Sequence, residues 1–408
     1  MDYLTILKQQ KLHKYALIIN SQKYTYLDLI NKIEHLRKQI NKYERSHIFI
    51  YEDSILEQLC KFIAYSGTNI VPIIATKISK HQNFKINHIS QNACMGVMTS
   101  GSTGQSKILW RNFSSWADFF PIQNNIFNIN QDTIIFCQGS LAFTGNLNIY
   151  MSILFIGGTI VATEKFAPKT WLNLMKNNLV NAIYMIPSKL LLLPKYLKEP
   201  NTHITTIISG SQSMGKSQAQ LLKKIYPQSQ ITLYYGASEL NYISYIKDTE
   251  MTEDNTSIGK PFPNIKISIK NDEILVDTPY AIEDISLPYS LKDKGYIDDK
   301  NNLHFLGRSD DICNLNGLKI SRYKIENLLK EKLHLEEVAV EIIHQNNIDI
   351  LVAFVSNKKL PNKSEIISIL HHDLSEYEIP KKFIKLTNLP KNESGKIDRF
   401  QLSKINIK

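Results

Sequence analysis

The amino-acid sequence predicts an α/β protein in which a large N-terminal domain of layered sheets and helices precedes a small α+β domain. Three observations lead to this prediction. Short apolar runs alternate with helix-like segments through most of the chain, the strands shorten after about Phe262, and a separate unit begins at Asp310. At 408 residues the chain is also too long for one compact core. We therefore expect two domains, residues 1–309 and residues 310–408.

The N-terminal region predicts a strand pair followed by a helix. The run ALIINSQKYTYL alternates and contains a short polar turn, whereas LDLINKIEHLRKQI repeats apolar residues at spacings of three and four. From Ser46 onward the predicted strands are continuously apolar, as expected for sheets covered on both faces. These strands are HIFIYE, NIVPII, MGVMTS, TIIFCQ, TIVAT, AIYMIP, TTIISG and ITLYYG. Helix-like segments such as EQLCKFIAYSG and GKSQAQLLKKIY separate them.

The C-terminal third predicts smaller elements. After Phe262 come the short strands KISIK, EILVD and NLHFLG, separated by polar turns. From Asp310 the order is a strand pair, the helix SRYKIENLLKEKL, the strands VAVEII and DILVAFVS, a helix around KSEIISILHHDL and a lysine-rich tail. Roughly one hundred residues are enough for an independent α+β module.

Composition excludes several classes of protein. Hydrophobic residues make up 43% and charged residues 21%, which is typical of a folded globular protein and not of a disordered chain. The most apolar stretch, residues 149–162, is shorter than the roughly 20 residues that cross a bilayer, so we expect no transmembrane segment. The first residues lack a secretion signal, and we expect a cytoplasmic protein.

Cysteine, histidine and charge give weaker indications. The four cysteines lack C-x-x-C spacing and there is no H-E-x-x-H motif, so neither a disulfide framework nor a protein-built metal site is expected. The formal charge of +10 could attract nucleic acid, an anionic membrane or small anions such as nucleotides. Because the basic residues are dispersed, we expect no nucleic-acid partner.

A segment suited to phosphate follows the apolar run MGVM. Residues 98–107, MTSGSTGQSK, combine two glycines and several hydroxyl residues with Lys107. The backbone N–H groups and hydroxyls of such a loop can surround phosphate oxygens, and the lysine supplies positive charge. The segment lacks the Gly-Lys-Ser/Thr ending of a Walker A loop, and taken alone it could equally be an ordinary Ser/Gly loop.

Three further segments strengthen this interpretation. They are YYGASE at 234–239, LGRSDDICNLNG at 306–317 and PKNESGKIDR at 390–399. Each by itself could be a turn or a solvated charge cluster. Their order and spacing together are not expected by chance.

With these segments the sequence resembles the acyl-adenylate-forming superfamily, which includes acyl-CoA synthetases, nonribosomal-peptide adenylation domains and luciferases. It is most similar to the acyl-CoA synthetases. The resemblance runs from KYTYLDL to PKNESGKIDR and includes SIGKPFPNIKISI and EILVDTPY. It implies a mobile C-terminal domain and a two-step reaction with ATP, Mg²⁺ and CoA. A carboxylic acid and ATP would give acyl-AMP and pyrophosphate, and the acyl group would then pass to the CoA thiol.

The resemblance implies that one group of residues holds the nucleotide and its metal. The β- and γ-phosphates would be held by Thr99, Ser100, Gly101, Ser102, Thr103, Gly104 and Lys107. Tyr235 would stack on adenine, Ser238 would contact the α-phosphate and Glu239 would bind Mg²⁺. The adenine and acyl pockets would be lined by Gly210, Ser211 and Gln212.

The resemblance implies further roles toward the C-terminus. Asp293 and Arg308 would bind the ribose hydroxyls, and Asp310 would be the hinge. Lys396 would bridge the acyl carboxylate and the α-phosphate in the first step, acting in catalysis with Ser238 and Glu239. The chain departs from its relatives in several places: Leu291-Lys292 precede Asp293 in place of Thr-Gly, Asn314 replaces a common lysine, Ser238 replaces threonine, and the N-terminal region is short.

Thr144 bears on the substrate. Relatives that activate amino acids carry an aspartate at this position, and many acyl- and aryl-CoA synthetases carry a histidine. A neutral hydroxyl cannot compensate a buried ammonium group, so we expect an uncharged acyl tail. The alternative is that Thr144 merely caps the start of a helix.

Three functions remain open on the sequence alone. The first is an ATP-dependent acyl-CoA synthetase for an apolar carboxylic acid, which we expect to be a fatty acid. The second is a stand-alone adenylating enzyme that loads a phosphopantetheine carrier protein, such as an acyl carrier protein. The third is a degenerate nucleotide-binding protein without ligase activity.

Overall fold

The computed structural model describes residues 2–40, 44–52, 54–76, 84, 86, 88–98, 107–253, 256–315, 318–345, 348–356, 360–391 and 397–405. The chain divides into two compact units. The first consists of Met1–Ile267, Val276–Tyr289 and Asp299–Leu303, and the second of Ser268–Leu275, Ser290–Asp298 and His304–Lys408. Strands that precede residue 310 thus belong to the second unit, and the expected domain division after residue 309 stays a prediction.

The elements of the first unit follow the predicted alternation of strands and helices. Its strands are β1 (Tyr15–Ile19), β2 (Gln22–Thr25), β3 (Ser46–Ile50), β4 (Ile70–Ile74), β5 (Met95–Met98), β6 (Ile108–Arg111), β7 (Ile134–Gln138), β8 (Thr159–Thr163), β9 (Ala182–Tyr184), β10 (Thr206–Gly210), β11 (Gln230–Ala237), β12 (Asn241–Lys247) and β13 (Lys260–Pro261). Its helices are α1 (Tyr3–Leu7), α2 (Tyr26–Lys38), α3 (Ile55–Tyr65), α4 (Ser114–Ala117), α5 (Phe120–Ile126), α6 (Thr144–Ile156), α7 (Pro168–Asn177), α8 (Pro187–Leu190) and α9 (Lys216–Ile225).

The predicted N-terminal strand pair and helix are confirmed. β1 and β2 pair antiparallel, and α2 follows directly. A capping box starts α2, because the Thr25 side chain accepts from the Asp28 N–H while the Asp28 carboxylate accepts from the Thr25 N–H. This reciprocal pair satisfies two backbone donors that a helix N-terminus otherwise leaves open.

A nine-stranded sheet forms the centre of the first unit, with the order β13-β12-β11-β10-β9-β7-β8-β1-β2 among the described residues. The strands from β11 to β1 are parallel to their neighbours, and antiparallel pairs lie at both edges. Every residue of β8 and β10 is buried. The continuous apolar runs therefore mark strands of a covered parallel sheet, as predicted.

Helices α7 and α9 contribute to the core of this sheet. Trp171 and Leu222 are completely buried there, together with strand residues such as Ile183 and Ile207. The most apolar stretch of the sequence, residues 149–162, forms most of α6, a turn and β8. Gly157 ends α6 in the left-handed conformation, with φ of 81°. In the part of the chain that the structure describes, no helix is long and apolar enough to cross a membrane.

A second sheet of the first unit, with the order β3-β4-β5-β6, frames the predicted phosphate segment. β5 and β6 pair antiparallel with Met98 opposite Ile108. The strands before and after residues 99–106 are therefore neighbours in this sheet.

The second unit has smaller elements. The strands that lie wholly or mostly in it are β14 (Lys266–Lys270), β15 (Glu273–Asp277), β16 (Tyr289–Ile297), β17 (Leu303–Arg308), β18 (Ile312–Leu315), β19 (Leu318–Ser321), β20 (Val338–Gln345), β21 (Ile348–Ser356) and β22 (Lys382–Leu386). Its helices are α10 (Arg322–Lys332), α11 (Lys363–Leu370) and α12 (Arg399–Ser403). The strands form the sheets β14-β15-β16-β17, β18-β19 and β20-β21-β22 among the described residues.

A cluster of ion pairs fixes the C-terminal helix α12 within the second unit. Arg399 donates to both oxygens of Glu326 at 2.9 and 3.0 Å and to Glu341 at 2.8 Å. Glu341 also accepts from Arg322 at 2.8 Å, and Glu326 accepts from the Val340 N–H at 2.8 Å. Because both glutamates are buried, these donors replace the water that the carboxylates lose on folding.

Replacing Arg399 with methionine should destabilise the second unit by about 3 kcal/mol, because two buried carboxylates then lose a shared cation. We choose the low end of the usual range because 32% of the Arg399 side chain is exposed. Hydrogen exchange of the α10 and β20 amides measures this loss directly. Trp110, Trp116 and Trp171 all lie in the first unit. The urea unfolding transition that their fluorescence reports should therefore be almost the same in the variant and the parent.

Lys8→Met is the matched control, since it removes an exposed ion pair with Glu34 and should leave the free energy of unfolding almost unchanged. Adding Glu326→Gln to Arg399→Met should restore part of the protection by removing one uncompensated charge. Equal exchange rates in Arg399→Met and the parent would contradict this account.

Candidate active site

The candidate site lies where the order of the parallel strands reverses. From β7 the chain crosses through α6 to β8 on one side, and β9, β10 and β11 then follow on the other side. In open α/β sheets, ligands bind outside the carboxyl ends of the strands at such a reversal. The segments that leave β7, β10 and β11 at this edge carry Thr144, Ser211 and Ser238 respectively.

The turn between β11 and β12 carries two of the predicted catalytic residues, Ser238 and Glu239. The Ser238 hydroxyl donates to the Thr144 hydroxyl at 3.1 Å. Thr144 is the first residue of α6, and Phe143 occupies the N-cap position. The alternative that Thr144 caps the helix is therefore wrong. The structure instead brings it into contact with the residue predicted to meet the α-phosphate.

Further hydrogen bonds fix this turn on both sides. The Asn148 amide, one helical turn beyond Thr144, donates to Asn241 at 3.4 Å, and the Asn241 amide donates to the Ser115 carbonyl at 3.2 Å. The Ile282 N–H donates to the Glu239 carbonyl at 2.8 Å. Residues 235–239 nevertheless remain partly exposed. The turn is thus held rigidly while its side chains stay accessible.

Arg111 supports the same turn from the end of β6. Its guanidinium is completely buried and donates to the carbonyls of Ser238 at 2.7 Å and Tyr280 at 3.0 Å. Burial lowers its pKa to about 10, against the raising effect of nearby groups that include Glu239. Since β6 follows the predicted phosphate segment, Arg111 connects that segment to the turn of Ser238 and Glu239. The sequence analysis missed this residue, although an arginine within the apolar strand ILWR was a signal.

The predicted pocket-lining residues follow β10. Gly210 pairs with Tyr234 of the neighbouring strand, and a Cβ added to it would lie 2.4 Å from Cζ of the Tyr234 ring. Ser211 is exposed and has a positive φ of 65°, which turns the chain away from the sheet. The Gln212 side chain accepts from the Ser188 N–H at 3.0 Å. This segment is therefore packed closely against its neighbours at the same edge as the Ser238 turn.

Asp293 and Arg308 lie together in the second unit. The Arg308 Nε lies 3.8 Å from Oδ1 of Asp293, whose side chain is buried. The two residues that were expected to bind the ribose hydroxyls are therefore close together, on the adjacent strands β16 and β17.

Several predicted residues lie outside the described part of the chain. They are Lys396 and the phosphate-segment residues Thr99, Ser100, Gly101, Ser102, Thr103 and Gly104. Lys107 is described and lies exposed just before β6. The backbone of Asp310 forms part of the 3₁₀ turn Ser309–Asp311, and its side chain lies outside the description.

The described side chains fit a nucleotide with a hard cation. The partly exposed turn offers the Tyr235 ring, the Ser238 hydroxyl and the Glu239 carboxylate within five consecutive residues. Within the described ranges no group of three His, Cys, Asp or Glu side chains could hold a metal ion. Magnesium needs only one or two carboxylates beside the phosphates of its substrate, so Glu239 is chemically suited to it.

Comparison with known proteins identifies the class. The sequence pattern of the family described as AMP-binding enzyme matches residues 17–280. The chain belongs to this family of adenylate-forming ligases, which confirms the resemblance to the acyl-adenylate-forming superfamily.

Individual relatives include ligases with different acceptors. An uncharacterised acyl-CoA ligase, YhfT, of Bacillus subtilis is 28% identical over 324 residues, which are 75% of this chain and 67% of the relative. A putative long chain fatty acid-CoA ligase, VraA, of Staphylococcus epidermidis is 22% identical over 98% of this chain and 97% of its own. A 3,4-dihydroxybenzoate–[aryl-carrier protein] ligase of Bacillus anthracis is 23% identical over 91% of this chain and 87% of its own.

Solved structures share the fold. The o-succinylbenzoate CoA synthetase MenE of Bacillus subtilis, in complex with its acyl-adenylate intermediate, superposes with a TM-score of 0.84 and 18% identity. The match covers 99% of this chain and 98% of MenE. The same enzyme is also known in complex with ATP and a magnesium ion. The predicted α/β fold class is confirmed.

Replacing Arg111 with lysine should lower turnover roughly 100-fold, because one ammonium group cannot hold both carbonyls and the Ser238 turn then shifts. It should also reduce the free energy of unfolding by about 1–3 kcal/mol, since a buried carbonyl loses its donor. Steady-state kinetics and urea unfolding measure the two effects.

Arg37→Lys is the matched control, because Arg37 likewise donates to backbone carbonyls, at Ala64 and Ser66, but away from the candidate site. It should reduce stability without reducing turnover of the folded protein. If Arg111→Lys also retained full turnover, Arg111 would not position the catalytic turn.

Proposed function

We propose that the protein activates a carboxylic acid with an uncharged acyl tail, using ATP to form acyl-AMP and pyrophosphate, and then transfers the acyl group to the thiol of CoA. The expected acid is a fatty acid. The observation that carries the proposal is the 3.1 Å hydrogen bond between Ser238 and Thr144. It places the side chain proposed to meet the α-phosphate beside the one proposed to meet the acid. Glu239, the proposed magnesium ligand, follows on the same turn.

The electrostatics of the first step explain why this turn must be rigid. The acid carboxylate attacks an α-phosphate that also carries negative charge, so donors and cations must already stand where charge accumulates. Bound Mg²⁺ supplies positive charge to the phosphate oxygens. In this proposal Glu239 would hold the ion, and the Ser238 hydroxyl, which donates to Thr144 in the structure, would donate to the α-phosphate instead. Arg111 keeps the backbone of Ser238 in place without contacting substrate.

We propose that the other predicted residues have the roles that the family resemblance implies. Thr99 to Gly104 and Lys107 hold the outer phosphates, and Tyr235 stacks on adenine. Gly210 to Gln212 line the adenine and acyl pockets, and Asp293 with Arg308 binds the ribose. Lys396 bridges the two reacting anions in the first step. Asp310 is the proposed hinge, which allows residues 310–408 to rearrange as a mobile domain between the two half-reactions.

The nature of Thr144 supports an acid with an uncharged tail. Its side chain is a neutral hydroxyl, which cannot balance the ammonium group of an α-amino acid. The names of YhfT and VraA, an acyl-CoA ligase and a putative long chain fatty acid-CoA ligase, agree with CoA as acceptor.

A second candidate keeps the same chemistry but transfers the acyl group to a carrier protein. The Bacillus anthracis relative favours it, because that enzyme is named as a ligase for an aryl-carrier protein and the match covers nearly all of this chain. The first half-reaction is identical in both cases. Only the acceptor distinguishes them.

Pyrophosphate exchange with ATP should be supported by aliphatic carboxylic acids and should stay near background with amino acids. Each buried methylene contributes about 0.8 kcal/mol, so activity should rise with chain length until the acid pocket is filled. Release of AMP that depends on CoA would support the synthetase, and release that depends on a phosphopantetheine carrier would support the second candidate. If none of the tested acids supports exchange, the protein is a nucleotide-binding protein without ligase activity. A preference for an amino acid would contradict the role assigned to Thr144.

Replacing Lys396 with alanine should reduce acyl-AMP formation by roughly 10²–10³-fold, because the first step loses a cation at the developing charge. Thioester formation from supplied acyl-AMP should be unchanged. Rapid-quench assays of each half-reaction measure both rates.

Lys391→Ala is the control from the same part of the chain, since Lys391 forms an ion pair with Glu337. It should leave both half-reactions near the parent rates. Equal losses in the two half-reactions of Lys396→Ala would refute the proposed role.

A further inference from the structure

We propose that Tyr184 and Tyr234 close the acid pocket just beyond Thr144, so that this protein activates short carboxylic acids. This inference rests on the proposed function and adds the length of the acid. The supporting observation is that two tyrosine side chains fill the space between the first turn of α6 and the carboxyl end of β10.

The two tyrosines form one buried unit. Their hydroxyl oxygens lie 2.7 Å apart, and their rings are nearly parallel, with 8° between the ring planes. Only 6% of each residue is exposed. Burial raises the pKa of both hydroxyls, so each is protonated at neutral pH and one can donate to the other.

Two glycines show how closely this pair approaches the proposed acid position. A Cβ added to Gly145, the residue after Thr144, would lie 2.5 Å from the Tyr184 hydroxyl and 3.2 Å from the Tyr234 hydroxyl. A Cβ added to Gly210 would lie 2.4 to 2.6 Å from three atoms of the Tyr234 ring. The pair therefore contacts α6 on one side and β10 on the other.

Neighbouring aromatic rings keep Tyr234 in place. Tyr242 of β12 packs on it with ring centroids 4.2 Å apart, and Phe127 lies 6.2 Å away. Tyr242 and Phe127 are themselves buried. Displacing Tyr234 would therefore disturb the packing behind it, and such a rearrangement of a densely packed interior costs free energy.

The start of α6 is less buried than the tyrosines. Residues 143–146 at the start of α6 are partly exposed, whereas α6 is buried from Leu147 to Leu154. An acid whose carboxylate lies near Ser238 would pass Thr144 and then meet the tyrosine hydroxyls. A short tail fits in front of them, and a long tail would have to displace them.

The test is a comparison of acid length profiles in the full-length protein. Straight-chain saturated acids from acetate to decanoate are assayed by pyrophosphate exchange with the parent and with Tyr184→Ala. The parent should favour the short acids. The variant, which removes one ring from the floor of the pocket, should move the optimum to longer acids. Its ratio of kcat/KM for octanoate over butyrate should rise by about tenfold or more.

Three variants separate pocket size from other effects. Tyr184→Phe keeps the ring and should keep the parent's length profile. Tyr226→Ala removes an equally buried tyrosine from the core of the large sheet, away from the candidate site, and should keep the profile despite lower stability. Tyr184→Leu gives a milder enlargement should Tyr184→Ala not fold.

Calorimetry with non-hydrolysable acyl-AMP analogues of short and long tail tests the pocket without turnover. Tighter binding of the short-tailed analogue, reversed in Tyr184→Ala, supports the proposal even if exchange assays refute the proposed function. The pocket proposal is wrong if long acids support the fastest exchange in the parent, or if the parent binds the long-tailed analogue more tightly. Either result leaves the proposed function intact. Binding of neither analogue would overturn both.

Discussion

The candidate site depends on the hydrogen bonds that the buried guanidinium of Arg111 donates. A cation removed from water is stable only when strong acceptors surround it, and here backbone carbonyls of Ser238 and Tyr280 take that role. The face of Trp116, 5.8 Å away, adds a weaker attraction. One side chain thus connects the strand after the phosphate segment to a turn more than a hundred residues later. If either Arg111 or the Ser238 turn shifted, the guanidinium would lose an acceptor and the Ser238 carbonyl would lose its donor.

Most of the fold could be predicted because burial sets the sequence pattern. Runs such as TIVAT and TTIISG are apolar throughout, and they form strands covered on both faces. The order of strands in the sheet could not be predicted. β9 pairs with β7 and not with the preceding β8, because α7 carries the chain back across the sheet. Hydrophobic periodicity describes one element at a time and contains no information on which strands become neighbours.

The candidate site shows the same limit. Ser238 and Glu239 could be proposed from the sequence because they belong to one short segment, and the predicted phosphate segment has a composition of its own. Arg111 and Tyr184 have a weaker local signal, since a single arginine or tyrosine in an apolar strand usually indicates a satisfied core residue. Their importance arises from contacts across the sheet. The hydrogen bond between Thr144 and Ser238 spans 94 positions and could not be derived from either neighbourhood.

The packing of Tyr234 over Gly210 also restricts the order in which this lineage can change its specificity. A larger residue at position 210 would collide with the ring, whereas a smaller residue at position 234 would leave a cavity beneath it. Loss of the ring must therefore come first, and its cost in stability must be tolerated before position 210 is free to vary. Descendants with a different acid preference should carry paired changes at these two positions, and glycine at 210 should outlast tyrosine at 234.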